Sequence, residues 1–215
     1  MQGQYNTLNT AKRNQGGALG KVVIVVFLLA IVSVVGMFLS HMNSVPNLDE
    51  EAKAQWSQVQ NQYKRRADLV PNLVNIVKGY AAHENETLNQ VTQARSQVGK
   101  INIDADVLDD PEKMKQYLEV QKSLSSSLGR LMAVAESYPD LKADKNFLAL
   151  QSQLEGTENR IAVARRDFIN AVKRYNRELR TIPGKWVAQF LYPDAELRKT
   201  FSVSEKEQET PKVEF

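Results

Sequence analysis

The sequence predicts an all-α protein, with a single N-terminal transmembrane helix followed by an antiparallel bundle of long helices. Three observations carry that prediction. Val22 to Leu39 reads as an apolar run of eighteen residues, interrupted only by Ser33 and Gly36. From Leu48 onward, apolar residues recur every three or four positions, the period of one helix face. No segment alternates with period two for long enough to make a sheet, and 10 Gly and 7 Pro are too few for a turn-rich β-sandwich.

The apolar run, as a helix rising about 1.5 Å per residue, is roughly 27 Å long, close to the hydrocarbon thickness of about 30 Å. A buried core helix would carry some polar face. A cleaved signal peptide has an apolar region of about 7–15 residues and a small-residue cleavage site, whereas SHMNSVPN follows here. The sequence therefore predicts an uncleaved anchor over residues 22–40. Lys12, Arg13 and Lys21 precede it without any acid, and Asp49, Glu50 and Glu51 follow it. The positive-inside rule then keeps residues 1–21 in the cytoplasm as a short polar tail and sends residues 40–215 across the membrane. Gly36 and Ser40 add a small-xxx-small spacing of the kind that brings membrane helices together.

After the anchor, residues 46–192 are predicted to form the bundle. Ala52, Trp56, Val59, Tyr63, Val70, Leu73 or Val74, Val77 and Tyr80 make one stripe, continued by Leu88, Val91, Ala94 and Val98. Unbroken, this helix would be about 75 Å long, and Pro71 is expected to kink or break it near Asp68–Pro71. Residues 100–111 read as an acidic loop, with Asp110 as cap and Pro111 as first residue of the next helix. That helix buries Met114, Tyr117 or Leu118, Leu124, Leu128, Leu131 and Ala135, ending near Tyr138-Pro139. The last long helix carries the cleanest heptad, from Phe147 through Leu154, Ile161 and Phe168 to Tyr175, and stops at Pro183-Gly184. The pattern thus gives three long helices, the first open to division. KWVAQFLY (185–192) reads as a short apolar helix that closes the bundle or rests on a membrane interface. Residues 193–215 are predicted to be a charged flexible tail.

Composition excludes several kinds of chemistry. The absence of Cys removes thiol catalysis, disulfides and Cys-ligated zinc, and two His leave little for a metal centre or a Ser-His-Asp triad. The net charge of +3 equals the three bases of the N-terminal tail; beyond them, bases and acids balance. A nucleic-acid partner is not expected, because such a binder clusters its bases on the folded domain. His83-Glu84 lacks the second His of a zinc helix, and Asp104, Asp106, Asp109, Asp110 and Glu112 lack the glycine of a calcium loop. With no phosphate loop, nucleophile elbow or dinucleotide fingerprint, the sequence predicts no enzyme activity, no metal and no cofactor.

Two polar sets lie close to the apolar stripes. One is Arg65, Arg66, Asp68 and Asn72 around Pro71; the other is Glu155, Thr157, Glu158, Asn159 and Arg160. They read either as a network paired across the bundle that fixes helix register, or as a ligand cleft between helices.

The blocks YKRRADLVPNLVNIVKGYAAHE (63–84) and GRLMAVAESYPDLKADKNFLALQSQLEGTENRIAVARRDFINAVKRYN (129–176), with the closing PKVEF (211–215), resemble the LemA family of bacterial membrane proteins. The resemblance runs from the anchor to the last residue. It implies a bacterial cytoplasmic-membrane protein with one N-terminal membrane helix and a bundle of long antiparallel helices, and it implies no established activity. A distant branch takes part in forming magnetosome membranes, which offers membrane organisation as an analogy. The sequence departs from the family pattern at Met42-Asn43 and at Phe168-Ile169, where Tyr-Asn pairs are expected.

The sequence thus leads to a membrane-anchored structural or interaction protein that self-associates or docks an envelope partner. Off-stripe apolar residues, Ile76, Val120, Met132, Leu148 and Val163, are expected to supply a second helix face for that purpose. The alternative is a binding module for a small ligand or cell-envelope component in an inter-helix cleft.

Overall fold

The computed structural model describes the backbone of residues 5–101, 105–108 and 110–201, and the side chains from residue 20 onward in those ranges, 105 and 106 apart. Seven α-helices and one 3₁₀ turn follow in order, and no strand occurs among the described residues. They are α1 (Tyr5–His41), α2 (Ser44–Tyr80), α3 (Asn85–Lys100), the 3₁₀ turn (Ala105–Leu108), α4 (Pro111–Ala135), α5 (Pro139–Lys142), α6 (Lys145–Arg180) and α7 (Gly184–Leu191). The chain divides into two compact units. One comprises Met1–Val45 with Glu178–Ala195, the other Pro46–Arg177 with Glu196–Phe215.

In the first unit, α1 begins at Tyr5 rather than at the apolar run. No proline interrupts residues 5–41, and adding turns to an existing helix needs no new nucleus. The apolar side chains from Val22 to Leu39 are nearly all exposed, Val23 at 66% and Val32 at 68%. Ser33 Oγ donates to Leu29 O at 2.8 Å and Ser40 Oγ to Met37 O at 2.8 Å, so both hydroxyls are satisfied within the helix. Also in this unit, Gly184 opens α7 where an added Cβ would stand 2.4 Å from Glu178 O; only glycine fits there.

The second unit is a four-helix arrangement of α2, α3, α4 and α6 with two apolar clusters. Trp56, Val59 and Tyr63 of α2, Tyr117 of α4, and Ile161, Phe168 and Val172 of α6 belong to one, together with Val107 and Leu108 of the 3₁₀ turn. Val70, Leu73 and Val77 of α2, Leu88 and Val91 of α3, Leu124 and Leu131 of α4, and Phe147 and Leu154 of α6 belong to the other. Consecutive long helices traverse these clusters in opposite order, which makes them antiparallel neighbours.

Two expectations are corrected here. α2 continues through Pro71 to Tyr80 without a break, and the division of the predicted long helix falls instead at residues 81–84. Proline removes the N–H that would bond the Ala67 carbonyl, but Arg95 Nε donates to that oxygen at 3.2 Å. The true reversal is held by Ala81, fully buried, and by Tyr138, whose hydroxyl donates to Glu84 Oε1 at 3.0 Å. The second correction concerns the off-stripe residues. Ile76 and Met132 pack against the core, whereas Leu148 and Val163 are exposed.

Side-chain caps mark the starts of α4 and α6. Asp110 Oδ1 accepts from the N–H groups of Glu112 and Lys113 at 3.0 and 3.1 Å, ahead of Pro111. Asp144 Oδ1 does the same for Asn146 and Phe147 at α6. The chain after α7 returns to the second unit. Arg198 N donates to Asn176 Oδ1, Asn176 Nδ2 donates to Arg198 O, and Arg198 Nε donates to Asp49 Oδ1 at 2.5 Å. Phe201 lies against Trp56 and Phe168, with ring centroids 6.0 and 5.4 Å away, under the Arg165 guanidinium. The predicted tail therefore starts with a packed segment; residues 202–215 lie outside the described residues.

Candidate functional site

Between the two apolar clusters lies a polar layer. On α2, Arg66 falls three residues after Tyr63 and four before Val70, so it occupies the buried stripe with 2% exposure. Its Nη1 donates to Glu158 Oε1 of α6 at 3.0 Å. Its Nη2 donates to the backbone carbonyl of Gln121 of α4 at 2.9 Å and to the side-chain oxygen of Gln121 at 2.7 Å. The guanidinium carbon lies 5.1 Å from the Tyr63 ring centre, a cation–π distance. Thr157, buried one residue before Glu158, turns its hydroxyl onto Gln153 O at 2.7 Å. Three helices thus contribute one guanidinium, one amide and one carboxylate to a single level of the bundle.

Of the residues singled out from the sequence, the structure brings Arg66 and Glu158 together. Arg65, Asp68, Asn72, Asn159 and Arg160 are exposed and take no part in the layer. Gln121 is the member that sequence reading missed. Its signal is its spacing, four residues after Tyr117 and three before Leu124, which puts it on the buried stripe of α4.

Because Gln121 Oε1 faces Arg66, Nε2 is left over, and it makes no hydrogen bond of normal geometry among the described residues. Gln121 also lines an open cleft of about 600 Å³ between α2, α3 and α4. Lys64, Arg95 and Lys100 bring three cations to this cleft and Asp68 one acid; Val98 and Ile101 give it apolar wall. Beside it, burial pushes the Tyr117 hydroxyl well above the usual tyrosine value, with Tyr63 adding to the rise and the Gln121 amide opposing it. Burial likewise raises Tyr63, against the opposing charges of Arg165 and Arg66. Both phenols therefore stay protonated at neutral pH. Asp110, from the acidic loop, is spent on the α4 cap, and backbone N–H groups, that of Lys113 first, hold its carboxyl below the usual range. Asp104 and Asp109, and the side chain of Asp106, lie outside the described residues.

On the first unit the candidate surface is apolar. α1 is the one helix among the described residues long and apolar enough to cross a membrane. α7 presents Trp186 at 44% and Phe190 at 74% exposure on the side opposite its buried Gly184, Val187 and Ala188.

Comparison with known proteins places this architecture. The model of the LemA family matches residues 55–215. Magnetosome protein MamQ 2 of Paramagnetospirillum magneticum is 25% identical over 201 residues, covering 86% of this chain and 74% of that protein. Protein LemA of Metamycoplasma hominis is 27% identical over 169 residues, covering 77% and 73%. Magnetosome protein MamQ of Magnetospirillum gryphiswaldense is 23% identical over 201 residues, covering 86% and 74%.

Proposed function

The chain belongs to the LemA family, and from that premise we propose that it is a membrane-anchored helical scaffold that self-associates or docks an envelope protein. α1 is its single pass through the bacterial cytoplasmic membrane, and residues 40–215 stand on the extracytoplasmic side. The observation that carries this reading is the exposure of nearly the whole Val22–Leu39 run. Sixteen apolar side chains in an eighteen-residue run, nearly all of them exposed, are stable in hydrocarbon and not in water. Leu148 and Val163, exposed on α6, support the docking part. Two of the relatives are named as magnetosome proteins, which supports by analogy a role in membrane organisation.

Two experiments test it. Protease added to intact spheroplasts should digest residues beyond the anchor; full protection would overturn the assigned side. The full-length protein in mild detergent should run as a defined oligomer, or in-cell crosslinking should recover a discrete protein partner. A monomer that crosslinks to nothing would overturn the scaffold.

A second reading has its own supporting observation. The unpaired Gln121 Nε2 beside a cleft with three cations and one acid suits a small organic anion with an apolar portion. In this reading Lys64 and Arg95 hold the charge, and Arg66 positions the amide. Lys64→Glu with Arg95→Glu should abolish the thermal stabilisation that envelope extracts or a carboxylate library produce in the wild type. No stabilisation of the wild type by any of these would overturn it.

A further inference from the structure

We propose that α7 is an interfacial foot that lays Trp186 and Phe190 into the same bilayer leaflet from which α1 emerges. This rests on the reading of α1 as a membrane anchor and adds a second, separate membrane contact. The first unit alone carries the argument.

Trp186 and Phe190 are four residues apart and so share one face of α7, while Gly184, Val187 and Ala188 are buried on the other. An eight-residue helix with one packed face and two large aromatics on the other is half-partnered. Ile182, 60% exposed just before it, and Leu191 at 41% extend the apolar surface.

What covers that surface follows from where α7 is held. Tyr192, which ends the helix, donates its hydroxyl to Met42 O at 2.9 Å. Ser44 Oγ donates to Glu178 Oε1 at 2.5 Å, fixing the approach to α7. Met42 comes three residues after Leu39, the last apolar residue of the anchor, or about 4–5 Å further along a helix axis. The polar zone on each side of the hydrocarbon core is roughly 5–7 Å deep, from a bilayer of about 40–45 Å with a core of about 30 Å. The contact between Tyr192 and Met42 therefore sits at headgroup depth whenever α1 spans the membrane. At that depth Trp and Tyr are favoured, because the ring enters the acyl boundary while the polar atom stays hydrated.

Charge agrees with the same occupant. Arg180 and Lys185 are exposed on either side of the turn into α7, and Glu178, the acid nearest them in the chain, is engaged by Ser44. Two cations beside an aromatic face match lipid phosphates in an anionic leaflet.

The chain has two tryptophans, and this makes the test direct. Trp56 is 2% exposed in the second unit and serves as an internal reference. The full-length protein is reconstituted into vesicles of phosphatidylethanolamine and phosphatidylglycerol, with bromine on the upper acyl carbons of a fraction of the lipids. Wild-type protein should lose most of the Trp186 part of its emission, while Trp186→Phe, reporting Trp56 alone, should lose none. Phe190→Glu should restore much of the lost emission without releasing the protein from vesicles. Flotation of the same samples separates the two levels of the argument. Protein that fails to float overturns the anchor and the foot together. Protein that floats, with equal quenching in wild type and Trp186→Phe, overturns the foot and leaves the anchor standing. Floating protein whose Trp186 emission is blue-shifted but unquenched, and varies with protein density, places a second copy on α7 and also overturns the foot.

Discussion

Arg95 of α3 supplies the hydrogen bond that Pro71 denies to Ala67: its Nε donates to the Ala67 carbonyl at 3.2 Å. A proline in a helix interior removes one backbone bond, and here a side chain from the antiparallel neighbour replaces it. α2 therefore runs on through Pro71, and the replacement ties α3 to α2 beside the cleft.

The first prediction is a double-mutant cycle on that relationship. Arg95→Met should cost about 1–2 kcal/mol with Pro71 present, because a partly buried carbonyl is left open. In a Pro71→Ala background the new N–H bonds Ala67 O, and Arg95→Met should cost little. Urea midpoints of the four proteins measure the coupling; additivity would show that Arg95 and Pro71 act independently.

The polar layer makes a second prediction, about asymmetry. The Arg66 side chain is 3% exposed and that of Glu158 40%. Glu158→Leu leaves a buried guanidinium with only neutral partners and should cost about 2–4 kcal/mol. Arg66→Met leaves a carboxylate that water reaches and one amide oxygen without its donor, about 1–3 kcal/mol. Combining the two should make the protein more stable than Glu158→Leu alone. Denaturant unfolding followed by Trp56 fluorescence checks the order.

A third concerns acid. Burial raises the Asp49 carboxyl, but the hydrogen bonds from Arg198 and Lys53 outweigh it and hold it below its ordinary value of 3.8. A carboxyl lowered on folding contributes stability above that ordinary value, and the contribution is lost as pH falls through the folded one. The urea midpoint of Asp49→Asn should therefore lie below that of wild type at neutral pH. The gap should narrow as pH falls below that ordinary value and close once the folded carboxyl is itself protonated, where both proteins carry a neutral group.

Fourth, Phe201→Ala should destabilise the second unit by about 1–3 kcal/mol and alter Trp56 emission, since the ring packs tilted against Trp56 and edge-on against Phe168. Limited proteolysis should then cut near residues 196–201 faster than in wild type. Unchanged stability and cleavage would mean the segment is not held.

Much of the bundle was legible because burial follows the helical stripe. Trp56, Val59, Tyr63, Leu124, Leu131, Phe168 and Val172 are buried where spacing alone puts them. Arg66 was legible for the same reason, being a charge in phase with that stripe. Gln121 was not, since one neutral amide between Tyr117 and Leu124 reads as a gap in the pattern. Pro71 misled because the group that relieves it, Arg95, is distant in sequence and visible only once α3 folds back. The reversal at 81–84 keeps the apolar period on both sides, so two helices read as one. Phe201 lies in a charged stretch with no periodicity, and only the aromatic pair it meets explains its partial burial.

The layer formed by Arg66, Gln121 and Glu158 has a mechanical consequence. Sliding α6 along α2 by one turn, about 5.4 Å, would bring Leu154 or Ile161 to the place of Glu158 and strand the guanidinium against hydrocarbon. Helix sliding of the piston kind is therefore closed to this bundle. Rotation of a helix about its own axis would break the same bonds. What remains is bending on either side of the layer, with each apolar cluster able to loosen while the other stays packed. A strain applied at one end of the unit is thus stopped at mid-length, as a bulkhead stops water.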